Sequence, residues 1–247
     1  MKDGPNIIGI AALIGDHARA EVLTALMSGM ALTATELAAV AGVTKQTISA
    51  HLAKLVDAGL LAVEAQGRHR YFRLADHDVA ALLESLMSVA FRTGALRLRS
   101  SPREPALRKA RVCYDHLAGE LGVLVYEQLL ARGVFGLAPD PMHPGLNLTP
   151  AGRATMAELG IDLAAAAGTR RALCRTCMDW SERRHHLAGA LGDAMLVRFE
   201  QLGWAVRSAD SRVVAFSSAG ESALRQWAQG DARSTSKLPQ MATSLMD

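Results

Sequence analysis

The chain has 247 residues, half of them apolar and 4% aromatic, with 27 Lys and Arg against 24 Asp and Glu for a net charge of +3. That length suits two domains of ordinary size, the Ala- and Leu-rich composition favours helix, and no apolar run reaches the roughly 20 residues of a membrane span. Three cysteines do not make a disulfide framework, and Asp3 and Asp16 in an otherwise apolar N-terminus argue against a signal peptide, so a cytoplasmic protein without membrane attachment is expected.

Residues 33 to 74, TATELAAVAGVTKQTISAHLAKLVDAGLLAVEAQGRHRYFRL, carry the most specific pattern. Thr35 starts a short amphipathic helix whose Leu37, Ala38 and Ala41 recur at helical spacing, and Gly42 closes it. Thr44 caps a second helix, in which Ile48, Leu52 and Leu55 form one apolar face. Lys45, Gln46, Thr47, Ser49 and Lys54 lie off that face, and Gly59 ends the helix. Two helices joined by a short Gly turn, the second offering small polar and basic side chains, suit insertion into a DNA major groove. The runs LAVEA and RHRYFRL then alternate as paired strands bent at Gln66-Gly67. The pattern predicts a winged helix-turn-helix. Charge placement agrees: residues 1 to 91 hold 7 basic against 9 acidic side chains, yet between 45 and 73 five basic residues (Lys45, Lys54, Arg68, Arg70, Arg73) meet only Asp57 and Glu64.

With LIGDHARAEVLTAL ahead of this pattern as one lead helix and GRHRYFRL closing it, residues 10 to 90 resemble the ArsR-type winged-helix repressors, over about a third of the chain. The resemblance implies a homodimer in which residues 6–13 and 76–91 pair across a two-fold axis, and two recognition helices that read an inverted repeat in operator DNA. It implies that Lys45, Gln46, Thr47 and Ser49 face base edges, that His51 and Lys54 touch phosphate, and that Arg68 at the wing tip enters the minor groove, with Arg70 beside it. Metal-sensing members carry paired thiols in the first helix of the motif, or Asp, His and Glu ligands along the last helix. Here ELAAVAG has no thiol and DHDVAALLESLMSVAF has no second histidine, so neither metal route is expected and no metal or cofactor is assigned.

The module is expected to span 1–91. Residues 92–111, RTGALRLRSSPREPALRKAR, hold seven basic residues and one acid around two prolines and two serines, and read as a basic linker able to extend the DNA footprint. Residues 231–247 are polar and aperiodic, and read as a disordered tail. Between them, 112–230 contains an internal repeat, with units at about 111–168 and 175–230. Arg111, Cys113 and Asp115 match Arg175, Cys177 and Asp179; after the six-residue insertion WSERRH, the LAG-x-LG blocks 117–122 and 187–192 align. Gly133 and Gly203 each follow eleven residues later, and Ala-Gly pairs stand at 151–152 and 219–220. Each unit reads as helix, turn, helix ending at Gly, strand, loop, strand, and a helix entered at Thr149 or Ser217. The fold class expected is mainly α with short β wings: an N-terminal winged helix-turn-helix followed by two duplicated winged-helix-like units.

The Arg-x-Cys-x-Asp segments gather the unusual residues. Arg111, Cys113, Tyr114, His116, Cys177, Trp180, Arg183 and His186 suit an anionic or aromatic small-molecule effector, through ion pairing, stacking and orientation. The blander alternative makes the cysteines small core hydrophobes and the Asp–Arg pairs structural salt bridges within each repeat. Cys174-x-x-Cys177 with His116, His185 and His186 offers a zinc alternative, and the same thiols, with Cys113, a redox one. No phosphate loop, nucleophile elbow or carboxylate pair supports catalysis. The reading is a homodimeric transcriptional repressor, not an enzyme, whose operator binding responds to a small-molecule effector, with 76–91 and 92–111 as the transmission route. The alternatives are a thiol-redox or metal-responsive repressor using Cys113, Cys174 and Cys177, and a Cys-dependent enzyme.

Overall fold

The computed structural model describes residues 4–67, 69–95, 104–137, 146–169, 171–208 and 211–230. They form two compact units: residues 1–97 with Cys113–Asp115, a strand end and the turn after it, and the rest of the chain from Leu98. Arg68 and the tail 231–247 lie outside the described residues.

The first unit runs α1 (Ile7–Ile14), α2 (His17–Leu26), β1 (Leu32–Thr33), α3 (Ala34–Ala41), α4 (Lys45–Asp57), β2 (Leu61–Gln66), β3 (His69–Leu74) and α5 (His77–Arg92). The lead segment is two helices rather than one continuous run. Asp16 is the reason: its carboxylate accepts the Arg19 N–H at 3.0 Å and opens a new helix, and that bond holds its pKa below the usual carboxylate value. Arg19 is then pulled inward, its guanidinium donating to the α1 carbonyls of Leu13 and Ala12 at 2.7 and 2.9 Å. Thr33 starts α3 one residue ahead of the expected position, through a capping box in which Glu36 accepts from the Thr33 N–H and hydroxyl. Gly42 ends α3 in the left-handed region, and the Thr44 hydroxyl accepts from Thr47 to start α4. The sheet order is β1-β3-β2, with Val63 opposite Phe72 and Leu32 on its other side. The two-residue β1 gives too little alternation to be read from sequence. Val22, Leu23, Leu26, Leu37, Ile48 and Leu55 fill the core.

The second unit contains α6 (Pro105–Lys109), β4 (Arg111–Cys113), β5 (His116–Ala118), α7 (Glu120–Ala131), β6 (Phe135–Leu137), β7 (Leu146–Leu148), α8 (Pro150–Leu159), α9 (Leu163–Ala167), β8 (Arg175–Asp179), β9 (Arg184–Ala188), α10 (Ala190–Gln201), β10 (Ala205–Arg207), β11 (Val214–Phe216) and α11 (Ser218–Gln229). The stretch read as linker therefore carries a helical turn and opens a strand. The expected helix-turn-helix opening of each repeat is instead a hairpin, β4–β5 and β8–β9. Tyr114 and Arg183 supply the reason, since each bends its hairpin with a positive φ, 61° and 58°. From there the order strand, strand, helix, strand, strand, helix is the same in both copies.

The copies interlock. Helix α7 packs on β9 of the other copy, α10 packs on β5, and β5 lies beside β9. Leu121, Val125 and Leu129 of α7 and their counterparts Leu191, Met195 and Phe199 of α10 are all buried in one core. Two glycines permit this closeness. A Cβ on Gly122 would stand 2.5 Å from the Leu117 carbonyl oxygen and 3.7 Å from the His186 Cβ; on Gly192 it would stand 2.8 Å from the Leu187 oxygen and 3.1 Å from the His116 Cβ. The reciprocity places the two histidines face to face across the copies. Gly122→Ala should therefore lower stability by about 1–3 kcal/mol, as overpacking does, read as a fall in thermal midpoint; an unchanged midpoint would contradict the close packing.

Candidate functional sites

In the first unit, burial fixes how α4 presents itself. Ile48, Leu52 and Leu55 are buried, each worth roughly 1.5–3 kcal/mol, and this sets the rotation of the helix. Lys45, Gln46, Thr47, Ser49 and Lys54 are consequently exposed, as is Arg70 on β3. The Thr47 hydroxyl meets that of Thr44 at 2.9 Å, and the Ser49 hydroxyl donates to the Lys45 carbonyl at 2.8 Å, so both are oriented by their own helix. His51 departs from expectation. It is half-buried, with Nδ1 3.6 Å from Asp16 and 3.3 Å from the Arg19 guanidinium, so it is engaged within the unit instead of extended toward a phosphate.

In the second unit, Asp179 is the organising group. It has no exposed surface, and its two oxygens share out six neighbours. Oδ1 accepts from Arg111 at 2.6 Å, from the Ser181 N–H and hydroxyl at 2.9 Å each, and from the Glu182 N–H at 3.1 Å. Oδ2 accepts from the Gly119 N–H at 2.7 Å and lies 3.6 Å from His186 Nδ1. Burial alone would raise this carboxyl's pKa; the Arg111 and His186 charges and the Gly119 and Glu182 N–H groups outweigh it and hold it at about 2. Arg111, also buried, donates to the Leu107 carbonyl and the Ser181 hydroxyl, and its guanidinium lies 4.9 Å from the Trp180 ring centroid. The Asp–Arg pair thus joins the two copies; it is not confined within either.

Beside that pair the hairpins bring together Cys113, His116, Cys177 and His186. All four are buried, and their ligand atoms all lie within 4.8 Å of one another, with the two Nε2 atoms 3.1 Å apart. Five of the eight effector candidates (Arg111 and these four) therefore converge, in closed packing. The adjoining cavity, between the paired Leu117/Leu187, Gly122/Gly192 and Val125/Met195, measures about 10 Å³, room for one water. Trp180 covers Arg111; Arg183 is exposed. Tyr114 belongs to the first unit, its N–H donating to the Met27 carbonyl at 2.6 Å and its ring edge-on to His77 at 5.3 Å. A larger concavity, about 560 Å³, is lined by Leu146, Leu148, Arg153, Leu173 and Cys174, with none of the eight candidates among its described lining.

The zinc alternative weighed around Cys174-x-x-Cys177 is revised by strand geometry. Cys174 precedes β8 and sits in the apolar core, where burial pushes its thiol up to about 11, and exposed His185 alternates to the opposite face from His186. No disulfide joins the three cysteines. The signal available in sequence was the repeat itself: Cys and His precede Leu-Ala-Gly in each copy, as Cys113/His116 and Cys177/His186.

Because Asp179 titrates below its ordinary 3.8 when folded, its contribution of about 2 kcal/mol is present above pH 4 and is lost as pH falls through about 2. Acid titration of stability should show this loss, and Asp179→Asn should remove it from that window. Arg111→Met leaves the buried carboxylate without its counter-charge and should cost about 3–5 kcal/mol in denaturant unfolding.

Residues 14–64 match the model of a family described as a helix-turn-helix domain. The HTH-type transcriptional regulator YdfF of Bacillus subtilis (strain 168) is 40% identical over 222 residues, which is 90% of this chain and 96% of that protein. Among solved structures, a homodimeric winged helix-turn-helix DNA-binding domain from Mycobacterium bovis, a possible ArsR-family regulator, is 21% identical with a TM-score of 0.33, covering 42% of this chain and 99% of that one. HlyU from Vibrio cholerae is 22% identical with a TM-score of 0.31, covering 33% and 88%. Assignment rests on the relative that matches nearly end to end, together with the winged helix described above. The chain belongs to the HTH-type transcriptional regulators, and its first unit is a winged helix-turn-helix.

Proposed function

We propose that this regulator acts as a homodimeric repressor, with α4 in the major groove of operator DNA and the wing against the backbone. The carrying observation is the exposed strip Lys45, Gln46, Thr47, Ser49 and Lys54 opposite the buried Ile48, Leu52 and Leu55. Such a chain works in the cytoplasm, where its DNA is. Dimer formation is supported by apolar surface on the two helices named for it: Ile7 and Ile8 of α1 are 78% and 82% exposed, and Leu82, Leu86 and Val89 of α5 form one exposed stripe at helical spacing. A second copy would cover that stripe.

The second unit, two copies of one hairpin–helix–hairpin–helix half, is the sensor in this reading. An organic effector seated among Arg111, Cys113, His116, Cys177 and His186 has little room, since those groups are packed on one another. Their chemistry favours the thiol- or metal-responsive alternative.

Lys45→Ala with Gln46→Ala should cost roughly 10- to 100-fold in affinity for the chain's own upstream DNA and erase its preference over unrelated DNA, whereas Arg70→Ala should weaken both equally and flatten the salt dependence. Gel shifts in which the helix variant keeps its preference would contradict the assignment of α4. Leu86→Arg should yield a folded monomer in analytical ultracentrifugation; a persistent dimer would place the interface elsewhere.

A further inference from the structure

We propose that Cys113, His116, Cys177 and His186 form a binding site for one zinc-class divalent ion, each copy of the repeat supplying one thiolate and one imidazole. The observations are geometric. Four ligand atoms within 4.8 Å of one another, the two Nε2 atoms at 3.1 Å, are close enough that small side-chain shifts would bring them onto the edges, about 3.3–3.8 Å, of a tetrahedron built on Zn–N of about 2.0–2.1 Å and Zn–S of about 2.3 Å. All four side chains are buried, as closed, structural-type sites are. Two thiols and two imidazoles are soft-to-borderline donors, which select zinc, cobalt or cadmium over magnesium or calcium. Two thiolates also balance the charge of a divalent ion, so the filled site is neutral in a buried setting.

The surroundings complete the assignment. Asp179 Oδ2, 3.6 Å from His186 Nδ1, favours the tautomer with its proton on Nδ1, which leaves the Nε2 lone pair facing the other ligands. Gly122 and Gly192 let the two histidine-bearing strands approach. Binding replaces the proton of each thiol with the metal, M²⁺ + 2 RSH + 2 imidazole giving the neutral complex and two protons, with one more released from an imidazole that starts protonated, so apparent affinity rises with pH. Cys174 stands outside the site as an internal control.

The test uses the full chain, stripped with chelator under reducing conditions and titrated with Co(II). The expected result is one ion per chain, with tetrahedral d–d bands and a thiolate-to-cobalt charge-transfer band, displaced by stoichiometric Zn(II). Cys174→Ser should reproduce the wild-type titration, and Cys177→Ser or His186→Ala should abolish the tight phase. Because those two variants remove core groups, the wild-type titration decides by itself: octahedral cobalt spectra, or no saturable binding, overturns the site. A signal retained in a folded Cys177→Ser protein overturns the ligand assignment. The regulatory role rests on the sensor reading above and is separated from the site by gel shifts on the same samples. Stoichiometric metal with unchanged operator affinity leaves the site standing as structural and refutes the sensor reading.

Discussion

Asp179 is a carboxylate without exposed surface, and an unpaired charge in such a place costs several kcal/mol. The second unit meets that cost with groups from both copies: Arg111 and Gly119 from the first, Ser181 and Glu182 from the second. Because the partners come from segments some 60 to 70 residues apart, satisfying the charge also fixes the register between β4–β5 and β8–β9. The positions of His116, His186, Cys113 and Cys177 follow from that register. The six-residue insertion in the second copy makes this possible, because it forms the longer bend in which Ser181 and Glu182 turn their N–H groups onto Asp179.

The first unit is governed by ordinary apolar burial, and its surface chemistry is a by-product of that burial. Once Ile48, Leu52 and Leu55 face inward, the intervening Lys45, Gln46, Ser49 and Lys54 have nowhere to go but out. Arg19 stiffens the arrangement by tying the end of α1, the start of α2 and His51 of α4 into one polar knot. Removing one member of such a knot affects the presentation of α4 without touching any residue that meets DNA.

The helix-turn-helix was legible because its signals are local. Capping hydroxyls, a left-handed glycine and a three-residue apolar face each sit within a few positions of their effect. The break at Asp16 was equally local, yet the run of alanines and leucines around it read as continuous helix. The repeat was also legible, since small-residue punctuation is retained in both copies. What sequence could not supply was the shape of the Arg-x-Cys-x-Asp segments. Three-residue strands give no usable alternation, and their bends depend on positive-φ Tyr114 and Arg183, residue types that rarely signal a turn. The same ambiguity misplaced the site: Cys174 and Cys177 look like partners three apart on a helix, but on an extended chain they separate, and Cys177 meets Cys113 of the other copy instead.

The claim on which the functional account turns is that α4 reads operator DNA as one of a pair. Hydroxyl-radical footprinting of the full chain on the DNA upstream of its own coding region tests it most directly. The account predicts two protected half-sites of inverted sequence on one face of the duplex, centred about 10 base pairs or a multiple apart. Protection of a single short segment, or uniform protection without a boundary, would contradict it.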